Sequence, residues 1–197
     1  MNTVTPKGRE TRRRVIRVAA DLFHKQGIRA TSPDEIIEAA EIGKGQFYHY
    51  FKNKEGLVHE VLQWHLEAIN AGTSIINYDI KSWKDLEAWF RAHIELQKGF
   101  GMTRGCPFGT AANDVGEEEE ILRRDLVQIF GAIEDRLGRF FRSEKADGRL
   151  NRSVDEKQLA DFCISTLQGA MLIGKVRRDS GFAEAAVREA LKYLRSL

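Results

Sequence analysis

Cysteine is nearly absent, with only Cys106 and Cys163 in 197 residues. No disulfide framework can hold such a chain, and a Cys106–Cys163 bridge is not expected in a reducing compartment. Proline occurs three times, and nowhere do Val, Ile and Thr alternate regularly. Both absences point away from strands, and the expected fold class is all-α. No apolar run approaches a membrane span, and the basic N-terminus MNTVTPKGRETRRR lacks the apolar segment of a secretory signal. No membrane partner is expected, and the expected location is cytoplasmic. There is no internal repeat, and no biased tract is longer than Glu117–Glu120.

Catalytic signatures are missing as well. The chain has no nucleophile elbow, no phosphate-cradling glycine loop, no pair of carboxylates set for acid–base work and no metal-ligand spacing. It is therefore expected not to be an enzyme and to need neither cofactor nor metal. An enzyme of small apolar substrates stays as a rival class, decided by a turnover assay on any ligand that binds.

What the chain does have is an asymmetry of charge. Up to Lys54 there are eleven Lys plus Arg against six Asp plus Glu, whereas the remainder carries twenty against twenty-three. A basic head on a mildly acidic body suits a nucleic-acid contact joined to another module, although a solvated basic face gives the same count.

The head centres on Ser32–Lys54. Ser32 and Glu35 form a capping box, and Pro33 stands at the first helical position, where its missing N–H costs nothing. A break at Glu41-Ile42-Gly43 precedes a second short helix from about Lys44. Two short helices across a tight turn make a helix-turn-helix, whose second member lies in a DNA major groove. Gly45 lets the backbone come close, and Gln46 suits the N6/N7 edge of adenine. Tyr48 and His49 are polar tips, Lys44, Lys52 and Lys54 supply charge, and Phe47 and Phe51 anchor the other face. The alternative is a plain aromatic core helix, but of five successive aromatics at most about half can point inward. Thr31 and Ser32 are further contacts to phosphate. Lys7, Arg9, Arg12, Arg13 and Arg14 either touch phosphates too or form a solvated arm.

These residues resemble the DNA-binding domain of the TetR family of bacterial transcriptional regulators. The likeness is carried by Thr11-Arg12-Arg13-Arg14-Val15-Ile16, Ala19-Ala20-Asp21-Leu22-Phe23, Gly27, Ala30-Thr31-Ser32, Ile36, Ala39-Ala40 and Lys44-Gly45 through Phe47–Lys54. It spans about the first third of the chain. Two positions depart from the family pattern: Glu41 stands where the turn usually has glycine, and Gly43 where Ser or Thr usually caps the recognition helix. The second weakens capping by only about a few tenths of a kcal/mol. The first leaves the turn geometry open and puts a carboxylate where it could repel phosphate.

The resemblance implies a three-helix head, residues 1–54, on a helical effector-binding and dimerisation body, residues 55–197. Helical patterning predicts a first helix in the head from Pro6 or Arg9 to Gln26 and, in the body, a connector to about Asn70 and a helix from Ser82 to about Lys98. Gly99–Thr110, with four glycines and a proline, breaks any helix before a short helical piece to about Val115. Glu117–Glu120 reads as helix-start charge, and Ser153 with Glu156 as another capping box. His65, Trp89, Phe90, His93, Cys106, Phe108 and Phe130 are candidate effector contacts, with ordinary core packing as the alternative. Part of the family carries a similar G-C-x-x-G element to Gly105–Gly109, and some such members respond to electrophiles or oxidants through the cysteine. The residues themselves favour Cys106 as a small buried hydrophobe. By the same resemblance the last two helices, about 154–178 and 182–195, pair with a second copy through Leu167, Ala170, Gly174, Val187 and Leu191. The expectation is a homodimeric regulator of a palindromic double-stranded operator, released by a small apolar or aromatic effector. The alternative is a DNA-binding protein with no small-molecule effector, controlled by a protein partner or acting architecturally.

Overall fold

A computed structural model describes residues 5–116 and 119–197, and among these it contains nine helices and no strand. The all-α expectation holds. The chain divides into two compact units, Met1–His65 with Pro107–Leu126 and Leu66–Cys106 with Val127–Leu197. This division is drawn on packing and differs from the functional split expected at residue 54.

In the first unit, α1 (Pro6–Gln26) starts where the Thr5 hydroxyl accepts from the Gly8 amide at 3.1 Å. It stops at Gly27, whose φ of 90° suits glycine. Val15, Ile16, Ala19 and Phe23 form its buried stripe. The capping box appears as the sequence predicts. The Glu35 amide donates to Ser32 Oγ at 3.2 Å and the Ser32 amide to Glu35 Oε2 at 2.6 Å, opening α2 (Pro33–Ala39). Those bonds hold the Glu35 carboxyl below its usual range. The helix α3 (Lys44–Phe51) begins after Gly43, which gives no side-chain cap. The unit also holds the first part of α4 (Lys54–Ala71), the short α6 (Pro107–Ala112) and the start of α7 (Glu120–Ala146).

The second unit is built on α5 (Trp83–Gly99), the rest of α7, α8 (Glu156–Arg177) and α9 (Ser180–Arg195), with α8 and α9 packed as the main pair. Trp83 Nε1 donates to Glu144 Oε2 at 2.6 Å, and Arg149 grips the same carboxylate at 2.6 and 2.9 Å. The Arg149 guanidinium, with Trp83 as a lesser contributor, depresses the Glu144 pKa. A buried carboxylate held this way ties the start of α5 to the end of α7.

Three predicted details differ. Ser153 does not cap α8: Asp155 does, accepting from the amides of Lys157 and Gln158, while Ser153 bonds Asn151. A carboxylate directly before the helix outcompetes a hydroxyl two residues further back. The short α6 ends at Ala112 rather than near Val115. Part of the acidic run, Glu117 and Glu118, lies outside the described residues, whereas Glu120 opens α7 and binds Arg123 and Arg124. Among the described residues α8 is also long and apolar enough to cross a bilayer. One flank packs against α5 and α9, while Leu172 and Val176 on this helix face outward.

Candidate nucleic-acid interface and effector site

The two faces of α3 are sharply different. Phe47 is fully buried and Phe51 nearly so, their rings 5.6 Å apart. Lys44, Gly45, Gln46, Tyr48 and His49 are all exposed. An exposed tyrosine beside glutamine, histidine and lysine is a ready set of donors and acceptors, and nothing in the fold consumes it. Gln46 Nε2 meets only the Tyr50 hydroxyl, at 3.3 Å, and Lys44 makes a surface ion pair with Asp34 at 3.2 Å. Neither surface bond is costly to exchange.

The glycines flanking the helix start have no packing reason to be glycine. A Cβ built on Gly43 or Gly45 would meet nothing within 4 Å. The turn before α3 resolves the question raised by Glu41: this residue adopts the left-handed conformation itself, with φ of 50°. A non-glycine residue there costs about 1–2 kcal/mol.

Several predicted contacts are differently employed. Thr31 is fully buried and its hydroxyl donates to the Gly27 carbonyl at 2.7 Å, so it locks the α1–α2 turn and cannot reach a phosphate. Ser32 is exposed, but its oxygen serves the cap. Lys54 is half-buried, with Nζ 3.5 Å from the Arg29 carbonyl, and burial lowers its pKa. Arg12 is committed inside the unit, paired with Glu60 at 2.5 Å and set over the Phe51 ring.

Sequence reasoning missed Asp114. Its carboxylate accepts from the Ile28 amide at 2.8 Å and the Arg29 amide at 3.3 Å, bracing the turn that leads into the helix-turn-helix. Asp125 was missed as well: buried, it meets His59 Nδ1 at 2.7 Å and accepts from Gln63 at 2.9 Å. No periodic signal marks either residue, because each partner lies sixty or more positions away.

The seven effector candidates fall into both units. His65 packs edge-on to Phe108 in the first, beside a cavity of only about 20 Å³, room for about one water. Burial pushes the His65 pKa down to about 4, with His24 adding to the effect. Trp89, Phe90, His93, Cys106 and Phe130 belong to the second unit. There Trp89 stacks edge-on against Phe90 and His93, and all three are buried. His93 Nδ1 lies 2.8 Å from the Trp89 carbonyl, and Nε2 lies 3.4 Å from the Tyr78 hydroxyl. Burial lowers the His93 pKa to about 4, so the ring is neutral at pH 7. Two donors on the same helix, Trp89 Nε1 and Gln97 Nε2, are buried with no partner. Each such unmet donor costs about 1–3 kcal/mol. Cys106 is a buried thiol outside any disulfide and receives a bond from Gln168 at 3.2 Å.

The residues expected between subunits are largely covered within the single chain. Leu167, Ala170, Gly174, Val187 and Leu191 are all buried within the single chain. A Cβ on Gly174 would lie 2.8 Å from the Met102 side chain and 3.2 Å from the Asp179 carbonyl. The close approach this glycine permits is thus internal. The outward apolar side chains are Leu172, Val176 and Tyr193, which are 55%, 73% and 51% exposed.

Comparison with known proteins agrees with this architecture. Residues 15–61 match the family described as bacterial regulatory proteins, tetR family, and residues 83–190 match the tetracyclin repressor-like C-terminal domain. The HTH-type transcriptional repressor DhaR of Mycobacterium sp. (strain GP1) is 25% identical over 170 residues, covering 85% of this chain and 84% of its own. The transcriptional regulator AcuR of Cereibacter sphaeroides is 26% identical over 164 residues, 82% of this chain and 75% of its own. The crystal structure of a regulatory protein TetR from Rhodobacter sphaeroides superposes with a TM-score of 0.81 at 23% identity, covering 91% of this chain and 96% of that one. With both halves matched in order, the chain belongs to the TetR family of DNA-binding transcriptional regulators.

Proposed function

We propose that this regulator is a homodimeric repressor that binds a palindromic operator through α3 and is released by a small apolar or aromatic effector held in its body. The observation that carries the reading is the divided α3, with Phe47 and Phe51 locked inside and Lys44, Gly45, Gln46, Tyr48 and His49 presented outward. Residues 1–54 supply the DNA contacts. Gln46 reads a base, worth about 1–3 kcal/mol if bidentate. Lys44, Tyr48 and His49 hold phosphates and set the register, with Ser32 and Lys54 at the margin.

Dimerisation is assigned to α8 and α9, with Leu172, Val176 and Tyr193 as the apolar patch covered by the second copy. A two-fold dimer presents its recognition helices about one DNA turn apart, hence the palindrome. Effector binding shifts operator affinity by a coupling of about 1–3 kcal/mol. The unmet donors on α5 support a small-molecule effector. The tight packing beside Phe108 instead supports the second reading, a regulator governed by a protein partner.

Fluorescence anisotropy with DNA from upstream of its own gene, against random DNA of equal length, tests the proposal. Saturable, salt-sensitive binding to the upstream DNA alone, lost in Tyr48→Ala, is expected. Equal weak binding to both DNAs would refute the operator reading.

A further inference from the structure

The inner face of α5 carries Trp89, His93 and Gln97 at four-residue steps, and all three are buried. Their hydrogen-bonding capacity is lopsided. A carbonyl only accepts, so His93 Nδ1 must carry the proton it gives to the Trp89 oxygen. His93 Nε2 is then an acceptor, facing the Tyr78 hydroxyl. Gln97 Oε1 accepts from the Gly105 amide at 2.8 Å, which fixes the orientation of that side-chain amide. Every side-chain acceptor in the row is therefore engaged. What remains open are two donors, Trp89 Nε1 and Gln97 Nε2.

Formal charge is also accounted for. Among the described residues of this unit, Glu144 is the buried side chain with a charge, and it is committed to Trp83 and Arg149. His93 is neutral, so among the described residues of this unit no fully buried side chain offers an uncommitted charge. A carboxylate or ammonium brought here would be desolvated without compensation.

Resting on the reading of the body as an effector site, we propose that the effector is an uncharged molecule bearing hydrogen-bond-accepting oxygens, received by Trp89 Nε1 and Gln97 Nε2. The two residues stand eight positions apart, about 12 Å along the helix. The two open groups, an indole N–H and an amide N–H, can only donate, so what they ask of a ligand is acceptor oxygens.

Calorimetric titration of the full-length protein with three matched probes tests this: para-diacetylbenzene, para-diethylbenzene and the dianion of para-benzenedicarboxylic acid. The diacetyl probe should bind most tightly. In Trp89→Phe, which keeps a ring but removes the donor, its affinity should fall roughly five- to tenfold while that of the diethyl probe does not fall. Melting temperatures of the two proteins establish that the variant is folded. Loss of the diethyl probe as well would assign the effect to packing and overturn the proposal. So would equal binding of diacetyl and diethyl probes, tighter binding of the dianion, or no binding of the diacetyl probe. Operator affinity, measured in parallel, separates the underlying reading. If the diacetyl probe binds in the expected manner but leaves DNA affinity unchanged, the donors stand and the effector-release function fails.

Discussion

Replacing Gly45 by alanine should move stability and DNA affinity in opposite directions. In the free protein the new methyl meets nothing within 4 Å, so the fold has no steric objection to it. Alanine is the better helix former by about 0.8–1.0 kcal/mol in a helix interior. Gly45 is the second residue of an eight-residue helix, so about half to all of that gain is expected. For a chain of this size, that corresponds to a melting temperature raised by roughly 1–4 °C. With α3 in the groove as proposed, the same methyl would project from the exposed face that Gln46 and Tyr48 share and would hold the helix off the DNA. Operator affinity should fall at least about tenfold, or about 1.4 kcal/mol. Differential scanning calorimetry and anisotropy on one preparation give both numbers. A stabilised variant that binds the operator as well as the parent would show that Gly45 does not face DNA. A destabilised one would show that the space around it is not open.

Four other outcomes are expected. Glu41→Gly should relieve the left-handed strain at φ of 50° and raise stability by about 0.5–1 kcal/mol, after allowing for the entropy of glycine; an unchanged or lower melting temperature would count against it. Asp114→Ala should destabilise by about 1–3 kcal/mol, since the Ile28 and Arg29 amides lose their acceptor, and denaturant titration measures this. Phe47→Ala should cost about 3–5 kcal/mol and abolish operator binding, whereas Tyr48→Ala should leave the melting temperature nearly unchanged. The fourth concerns acid. The folded His93 pKa is about 4 against an ordinary 6.5, so its contribution is complete above pH 6.5 and is lost as pH falls towards 4. At full effect the loss is about 3 kcal/mol. His93→Phe should therefore flatten the decline of stability between pH 6.5 and 4, and equal slopes in variant and parent would contradict the assignment.

Much of the head was legible because its signals are local. A capping box, a proline at a first helical position and a glycine stop act within a few residues, so α1, α2 and α3 begin where the sequence places them. The aromatic run was legible for the same reason: helical spacing alone sends Phe47 and Phe51 one way and Tyr48 and His49 the other. The body was less so. Its α8 is apolar almost all round, and periodicity cannot say which flank meets α5 and α9 and which faces outward. The residues chosen for the subunit contact, Leu167 and Ala170 among them, turned out to be the internal flank. Thr31 was misjudged because a hydroxyl reads alike whether it waits for a phosphate or closes a turn. Nothing local in the sequence marks Gln97, and only three-dimensional bonding shows that half of its amide is spoken for.

The bracing of the α1–α2 turn by Asp114 has a bearing on protein engineering. The reading head does not end where its contiguous sequence ends. Its compact unit takes in a second stretch, Pro107–Leu126, which delivers the acceptor for Ile28 and Arg29 and the ring that packs on His65. A hybrid regulator made by splicing another protein's first fifty-odd residues onto this body would inherit a loop fitted to the wrong turn. Specificity transplants should therefore move two separate segments together. Natural drift at Asp114 and at the turn it serves should be correlated for the same reason.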